Sequence, residues 1–390
     1  MEHTDPELLK KIQEPLMRWF GENARILPWR EEPSPYHVWV SEIMLQQTRV
    51  EAVKPYYARF METLPDIGAL ASCPEDQLLK LWEGLGYYNR VRNMQKAALL
   101  VMEKYGGQLP VSYEELLALP GIGSYTAGAI ASIAYGQAVP AVDGNVLRVI
   151  SRVTENAEDI SKQSVKKEIE EELKKEMPKD RPGIFNQALM ELGALVCVPN
   201  GPPACEHCPL HRLCRACQNG HPADFPVKTG KKPRRVEERT CLVIRDGTHA
   251  AICRRPSKGL LAGLYELPNQ EGHLTWEEAL ASAAAEGFSP LRVRPLPEAK
   301  HIFSHVEWQM TGYFVLVEDC GERMEASGMD GSGLLFLEPE RIQREYPIPS
   351  AFAAYRRFLF APLPEIDTDG SLLRGNKRNI WSAVLDRTVK

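Results

Sequence analysis

The chain is 390 residues long, 44% hydrophobic and 25% charged, with a formal net charge of -5. These figures suit a globular chain with apolar material for two cores, and any nucleic-acid face must be local, because the average charge is not basic. No run of about 18 apolar residues occurs, and the opening MEHTDPELLKK lacks the apolar core of a signal peptide, so neither a membrane span nor export is expected.

From residue 6 to about 216 the pattern reads as helical. Val38, Trp39, Ile43, Met44 and Val50 recur at near-helical spacing, and Ser34-Pro35 is a fitting start with Pro at the first helical position. Further helices are expected around 76–82, 90–104, 113–118, 124–135, 143–153, 161–176 and 183–196. Residues 218–238 are rich in Pro, Gly and basic residues and read as a linker. The segments TCLVIRD, HAAICRR, EWQMTGYFVLVED and GLLFLEP that follow are strand-like, with one helix at Trp276–Glu286 among them. The expected organisation is a helical domain at 1–217, a mixed α/β domain at 239–365 and a polar tail at 366–390.

Nine cysteines could suggest secretion, but five fall between Cys197 and Cys217. Such a cluster in a long chain reads as metal binding in a reducing compartment. Cys197, Cys205, Cys208 and Cys214 follow the spacing C-x7-C-x2-C-x5-C. Structural zinc usually takes two CxxC knuckles or one with a histidine pair; a single CxxC with two lone cysteines suits a [4Fe–4S] cubane better. Zinc stays as the alternative. Arg212 and Arg215 on this loop could face phosphates.

Residues 114–127 (EELLALPGIGSYTA) read as a helix–hairpin–helix. Pro120 stops one helix, and Gly121 and Gly123 let the backbone approach a phosphate before the next begins. A plain turn between core helices is the bland alternative. Glu42 interrupts an apolar helical stretch, where it either points to solvent or stands at a cavity wall. In an apolar cavity it would have a raised pKa and could donate a proton near neutrality. Asp143 precedes a helix and can simply be its N-cap; amide donors there would also keep it ionised. One proton donor and one fixed anion are the pair that cleaves a glycosidic bond through an oxocarbenium-like state.

The strings LPWR, SEIMLQQTRV, WEGLGYYNRVRN, LPGIGSYTAGAI, AVDGNVLRV and FNQALMELGALVC occur in an order that resembles the endonuclease III superfamily of DNA glycosylases, and within it the MutY family. The resemblance covers nearly the whole N-terminal half. It implies a six-helix barrel with an iron–sulfur module, a monomer, a cytoplasmic nucleoid-associated location, and a duplex carrying adenine opposite 8-oxoguanine or guanine as substrate. It implies that Glu42 protonates adenine and that Asp143, assisted by Asn145, stabilises the sugar cation. Tyr125 stands where bifunctional relatives have a lysine, which favours a monofunctional hydrolase. Arg25, Trp29, Arg30 and Gln187 would line the adenine pocket; Gln47, Thr48, Leu85, Gly86 and Tyr87 would wedge into the duplex. The hairpin glycines would meet the DNA backbone, with a monovalent or divalent cation. Core packing is the plain alternative for Trp29, Leu85 and Tyr87.

The C-terminal half resembles the Nudix (MutT-like) domains that such enzymes carry, through SKGLLAGLYELPN and a following helix. That helix reads WEEALASAAAEGF and lacks the Arg-Glu-x-x-Glu-Glu run that binds magnesium, so a recognition module is expected rather than a pyrophosphatase. Phe303, Ser304 and His305 would form its 8-oxoguanine loop. The family has six residues between its first two cysteines and this chain has seven, with the extra one expected in a bulge at Asn200–Pro203. Rival readings are a glycosylase for another base and a non-catalytic mismatch-binding protein.

Overall fold

The structure, a computed structural model, describes residues 5–230, 233–319 and 334–361. The tail expected at 366–390 lies outside the described residues. The chain divides into two compact units, Met1–Lys231 and Lys232–Lys390.

The first unit is helical: α1 Pro6–Lys11, α2 Gln13–Asn23, α3 Pro28–Glu31, α4 Pro35–Leu45, α5 Val50–Thr63, α6 Ile67–Ser72, α7 Glu75–Leu81, α8 Asn89–Tyr105, α9 Tyr113–Leu117, α10 Ser124–Ala129, α11 Gly144–Thr154, α12 Gln163–Glu176, α13 Pro182–Leu195 and α14 Arg215–Gln218. Local chemistry sets many of the starts. Asp5, Ser34, Asp66, Ser112 and Asp143 each accept a backbone amide as N-cap. Gly106 ends α8 in the left-handed region, which a glycine adopts without a Cβ clash. Leu9, Ile12 and Leu16 from the first two helices share a core with Val149, Ile150, Val153, Phe185 and Leu189. Trp39, Phe60, Leu79, Trp82 and Val101 are buried among α4 to α8, and the rings of Phe60 and Trp82 meet edge-on at 6.0 Å.

Helix α10 does not run unbroken to residue 135, as the apolar pattern implied. After Ala129 it widens into a π-turn, Ile130–Ala134. Gly183 packs so closely there that a Cβ on it would stand 2.6 Å from the Ser132 carbonyl oxygen. An inserted residue at such a contact is a known way to open a helix locally.

Residues 218–230, read as a linker from composition, are docked on the helical unit. Phe225 is buried, Arg152 Nε donates to its carbonyl at 2.9 Å, and the Ile160 amide donates to Val227 O at 3.1 Å. One aromatic anchor is enough to dock a segment whose composition is otherwise polar.

The second unit holds a seven-stranded sheet of β1 Arg235–Arg245, β2 Ala250–Arg254, β3 Tyr265–Glu266, β4 Asn269–Glu271, β5 Pro290–Ile302, β6 Val306–Val317 and β7 Leu334–Leu337. The main path runs β3-β2-β1-β6-β5; β4 pairs with β1, and β7 with β2. β1 and β6 are parallel, and the other pairs are antiparallel. Helix α15, Trp276–Ala285, starts in a capping box of Thr275 and Glu278 and covers one face with Ala279 and Ala283. Phe352, Tyr355 and Phe358, on and around α17 (Ala353–Arg356), cover the other, beyond α16 at Pro339–Glu345. β5 escaped the sequence reading because prolines break its pattern. It ends the strand path, where proline costs no ladder bond, and its register shifts between Leu296 and Ala299.

Candidate active site

Glu42 lies on α4, where Tyr36 and every residue from Val38 to Met44 are buried, and is itself 7% exposed. Its side chain is buried with its neighbours, so it does not point freely to solvent. The Tyr125 hydroxyl, on α10, donates to Glu42 Oε2. Burial pushes the Glu42 carboxyl up to about 7; Tyr125 and the Arg30 charge oppose the rise, and the negative charge of Asp143 adds to it. Tyr125 is raised well above its ordinary value, first by burial and then by the Glu42 charge, so it stays a donor.

Asp143 caps α11. Its Oδ1 accepts the amides of Asn145 at 2.9 Å and Val146 at 2.8 Å, and its Oδ2 accepts Asn145 Nδ2 at 2.7 Å. Burial moves this carboxyl above its ordinary value and outweighs those donors and Arg148. The amides thus act in the expected direction but do not decide the balance. The loop before Asp143 is clamped by Asn186, whose Nδ2 donates to Ser132 Oγ at 2.8 Å and Val139 O at 2.9 Å while its Oδ1 accepts the Ala141 amide at 3.1 Å. Gly128 presses on the same loop: a Cβ there would lie 2.2 Å from Pro140 O.

The cysteine loop is tied to α11. Arg148 donates to Asn145 Oδ1 at 2.8 Å, to Gly193 O at 2.8 Å and to Cys197 O at 2.7 Å. Arg152 donates to Cys197 Sγ at 3.2 Å. Cys197, Cys205, Cys208 and Cys214 line one cavity with Cys217, His211 and Arg152. The Ala204 amide bonds Val196 O at 3.1 Å, closing the loop; Gly201 sits exposed in it at φ 77°. Arg215 is paired with Asp5 at 2.7 Å, while Arg212 is exposed.

Arg25 and Arg30 converge on Glu191 of α13, which is 1% exposed. Gln187, one turn earlier, is half-buried and donates to Gly183 O at 3.3 Å. Trp29 is buried and packs edge-on against Tyr57 at 5.3 Å. In the loops, Gln47 and Tyr87 have φ of 59° and 48°, uncommon for non-glycine residues. Gly86 has φ 68° with open space around its Cα, Tyr87 is 48% exposed, Thr48 is half-buried and Leu85 is buried. Arg90 joins the two loops: it donates to the carbonyls of Ile43, Met44 and Gln46 on one side and of Leu85 and Gly86 on the other. In the hairpin, Gly121 has φ 76° and lies against Asn93, and Gly123 opens α10 with nothing near its Cα.

Two family models match the chain: "HhH-GPD superfamily base excision DNA repair protein" over residues 40–175 and "NUDIX domain" over 239–357. An adenine DNA glycosylase of Mus musculus is 39% identical over 363 residues, spanning 78% of this chain and 70% of the mouse protein. One from Buchnera aphidicola is 32% identical and spans 77% of this chain and 85% of its own. The chain belongs to the adenine DNA glycosylase family. A solved thermostable thymine-DNA glycosylase is similar to the helical unit, at 28% identity and a TM-score of 0.49, covering 55% of this chain and 98% of its own.

The second unit of this family member carries Phe303, Ser304 and His305 in the turn between β5 and β6. The Phe303 amide bonds Val306 O at 2.8 Å, leaving Ser304 and His305 exposed at the tip. Phe303 packs on Trp308 at 4.9 Å and on His301 at 4.6 Å, so it anchors the turn.

Sequence reasoning had passed over Glu191, Arg148, Arg90 and Asn186. Each is a polar residue within an otherwise helical, partly apolar stretch, the same signal that singled out Glu42. Glu191 also lies four residues after Gln187, on the same helix face.

Proposed function

We propose that the chain hydrolyses the N-glycosidic bond of adenine mispaired with 8-oxoguanine or guanine in duplex DNA, without a Schiff-base intermediate. The observation that carries this is Glu42: a buried carboxyl raised to about 7, held by Tyr125 and sharing its site with Asp143. At neutral pH it holds a proton that it can give to a purine nitrogen, and the base leaves as a neutral species. Among the described residues its Oε1 makes no hydrogen bond inside the protein, which leaves it to face the base. The sugar becomes cationic as the bond breaks. Asp143, gripped by three donors, supplies the fixed negative charge next to it, and water completes the hydrolysis. Tyr125 offers no amine for a Schiff base.

The base has to leave the stack to reach so buried an acid. Tyr87 and Gln47, exposed on loops joined by Arg90, are the residues to hold the duplex open. Gly121 and Gly123 give the hairpin backbone access to a phosphate, with a cation on its carbonyls. Ser304, at the tip of its turn, is the candidate hydrogen-bonding partner for 8-oxoguanine.

The four cysteines fit a [4Fe–4S] cluster. They line one cavity together, the grouping a cubane needs. Burial and neighbouring thiols push Cys205 and Cys208 up to about 12; as ligands of a bound cluster they would be thiolates. When bound, the cluster supplies a rigid brace and no chemistry to base release; Cys197, Cys205, Cys208 and Cys214 would hold it.

The test is a single-turnover assay with adenine opposite 8-oxoguanine. Abasic product that breaks only after alkali is expected; no abasic product, or strand scission without alkali, contradicts the reading.

A further inference from the structure

Two arginines and one glutamate meet beside the pocket, and their balance bears on the acid. Glu191 Oε1 accepts the Arg25 amide at 2.9 Å and Arg25 Nε at 2.8 Å. Glu191 Oε2 accepts Arg25 Nη2 at 2.8 Å and Arg30 Nη2 at 2.9 Å. Arg30 also donates to Arg25 O at 3.1 Å and lies over the Phe20 ring at 5.2 Å. The two guanidiniums are thus held by one fully buried carboxylate and stay about three-quarters buried themselves, with side chains 29% and 20% exposed. In so dry a place a unit charge is felt by its neighbours far more strongly than in water.

We propose that Glu191 is a positioning residue of the pocket: it holds Arg25 and Arg30 in place, cancels one of their two charges, and so sets the pH range in which Glu42 carries its proton. This rests on the reading of Glu42 as the proton donor. The ionisable groups that act on Glu42 are Arg30 from α3, Tyr125 from α10 and Asp143 from the start of α11. The π-turn beside α4 contributes none, its sequence being IASIA. From α5, Glu51 is paired with Lys54 at 2.7 Å and acts on Arg25. Of these groups Arg30 is the cation, and Glu191 is the carboxylate paired with it. Without Glu191, the Arg30 charge that acts on Glu42 loses its buried counter-ion. The carboxylate form of Glu42 is then favoured, and the proton is lost at lower pH. Removing Arg30 has the opposite effect.

The experiment is the pH profile of single-turnover adenine release for wild type, Glu191→Gln, Arg30→Gln and the double variant. The alkaline limb is expected to move down by roughly one pH unit in Glu191→Gln, read as an approximately tenfold loss above the limb with a smaller change below it. It is expected to move up in Arg30→Gln and to return toward wild type in the double variant. A uniform loss at every pH, or a limb that the double variant does not restore, overturns the proposal and leaves Glu191 a structural residue. If Glu191→Gln does not fold, Arg30→Gln alone decides: a limb that stays in place refutes the coupling. NMR titration of the Glu42 carboxyl reads the same shift without turnover, so a wild-type chain that releases no adenine sinks the functional reading and still leaves the coupling testable.

Discussion

A carboxylic acid that donates a proton at neutral pH has to be kept from ionising, and the protein loses stability by keeping it so. Glu42 titrates near 7 in the fold and near 4.5 when exposed. Its folded-state value is the higher one, so its contribution is fully present below pH 4.5 and is lost as pH rises through 7. On the order of 3 kcal/mol is at stake. Glu42→Gln is therefore expected to gain thermal stability relative to wild type at pH 8 and little at pH 4, measured by melting at the two pH values, while base release falls by roughly 10²–10⁴-fold. Equal melting shifts at both pH values contradict the burial account. Glu191 behaves in the reverse sense. Burial alone would raise it, but Arg25 and Arg30 bring it down to about 2, so its contribution is present above pH 4.5 and fades as pH falls toward 2.

At the scale of elements, the site depends on loops whose shape is enforced from behind. Asn186 and Gly128 determine where the Asp143 loop runs. Gly128→Ala is expected to cost about 2–4 kcal/mol and to slow base release, because the Pro140 carbonyl has no room to give way. Melting and single-turnover rates check it, and an unchanged rate argues against the clamp. Arg90 serves the wedge loops in the same way. Arg90→Ala strips five carbonyls of a charged donor and is expected to weaken binding to mispaired duplex more than to lower intrinsic stability, measured by titration beside a melt. Most of the helices, the hairpin turn and the Asp143 cap were legible in the sequence, since apolar periodicity, caps and glycines act locally. Arg148, Arg90 and Glu191 were not, because their partners are carbonyls and guanidiniums up to 166 positions away. β5 was hidden by prolines that only an edge position tolerates.

For the whole molecule, two units divide the work. The helical unit holds Glu42, Asp143 and the cysteine cavity, and Arg148 and Arg152 join that cavity to the helix that Asp143 caps. The second unit holds the Ser304 turn on a sheet with helices on both faces. Ser304→Ala is expected to lower the preference for 8-oxoguanine over guanine while base release continues; equal loss on both mispairs counts against the recognition role. Composition cannot register one buried aromatic, Phe225, within the polar segment 218–230. Gly201, at φ 77°, lies in the loop between Cys197 and Cys205.

Under the proposed mechanism this chain removes adenine by proton donation from Glu42. Single-turnover release from a duplex with adenine opposite 8-oxoguanine, compared between wild type and Glu42→Gln, tests it most directly. Rapid release by wild type, falling as pH rises past about 7, with almost none from the variant, is expected. Wild-type release that matches the variant, or that rises with pH, contradicts it.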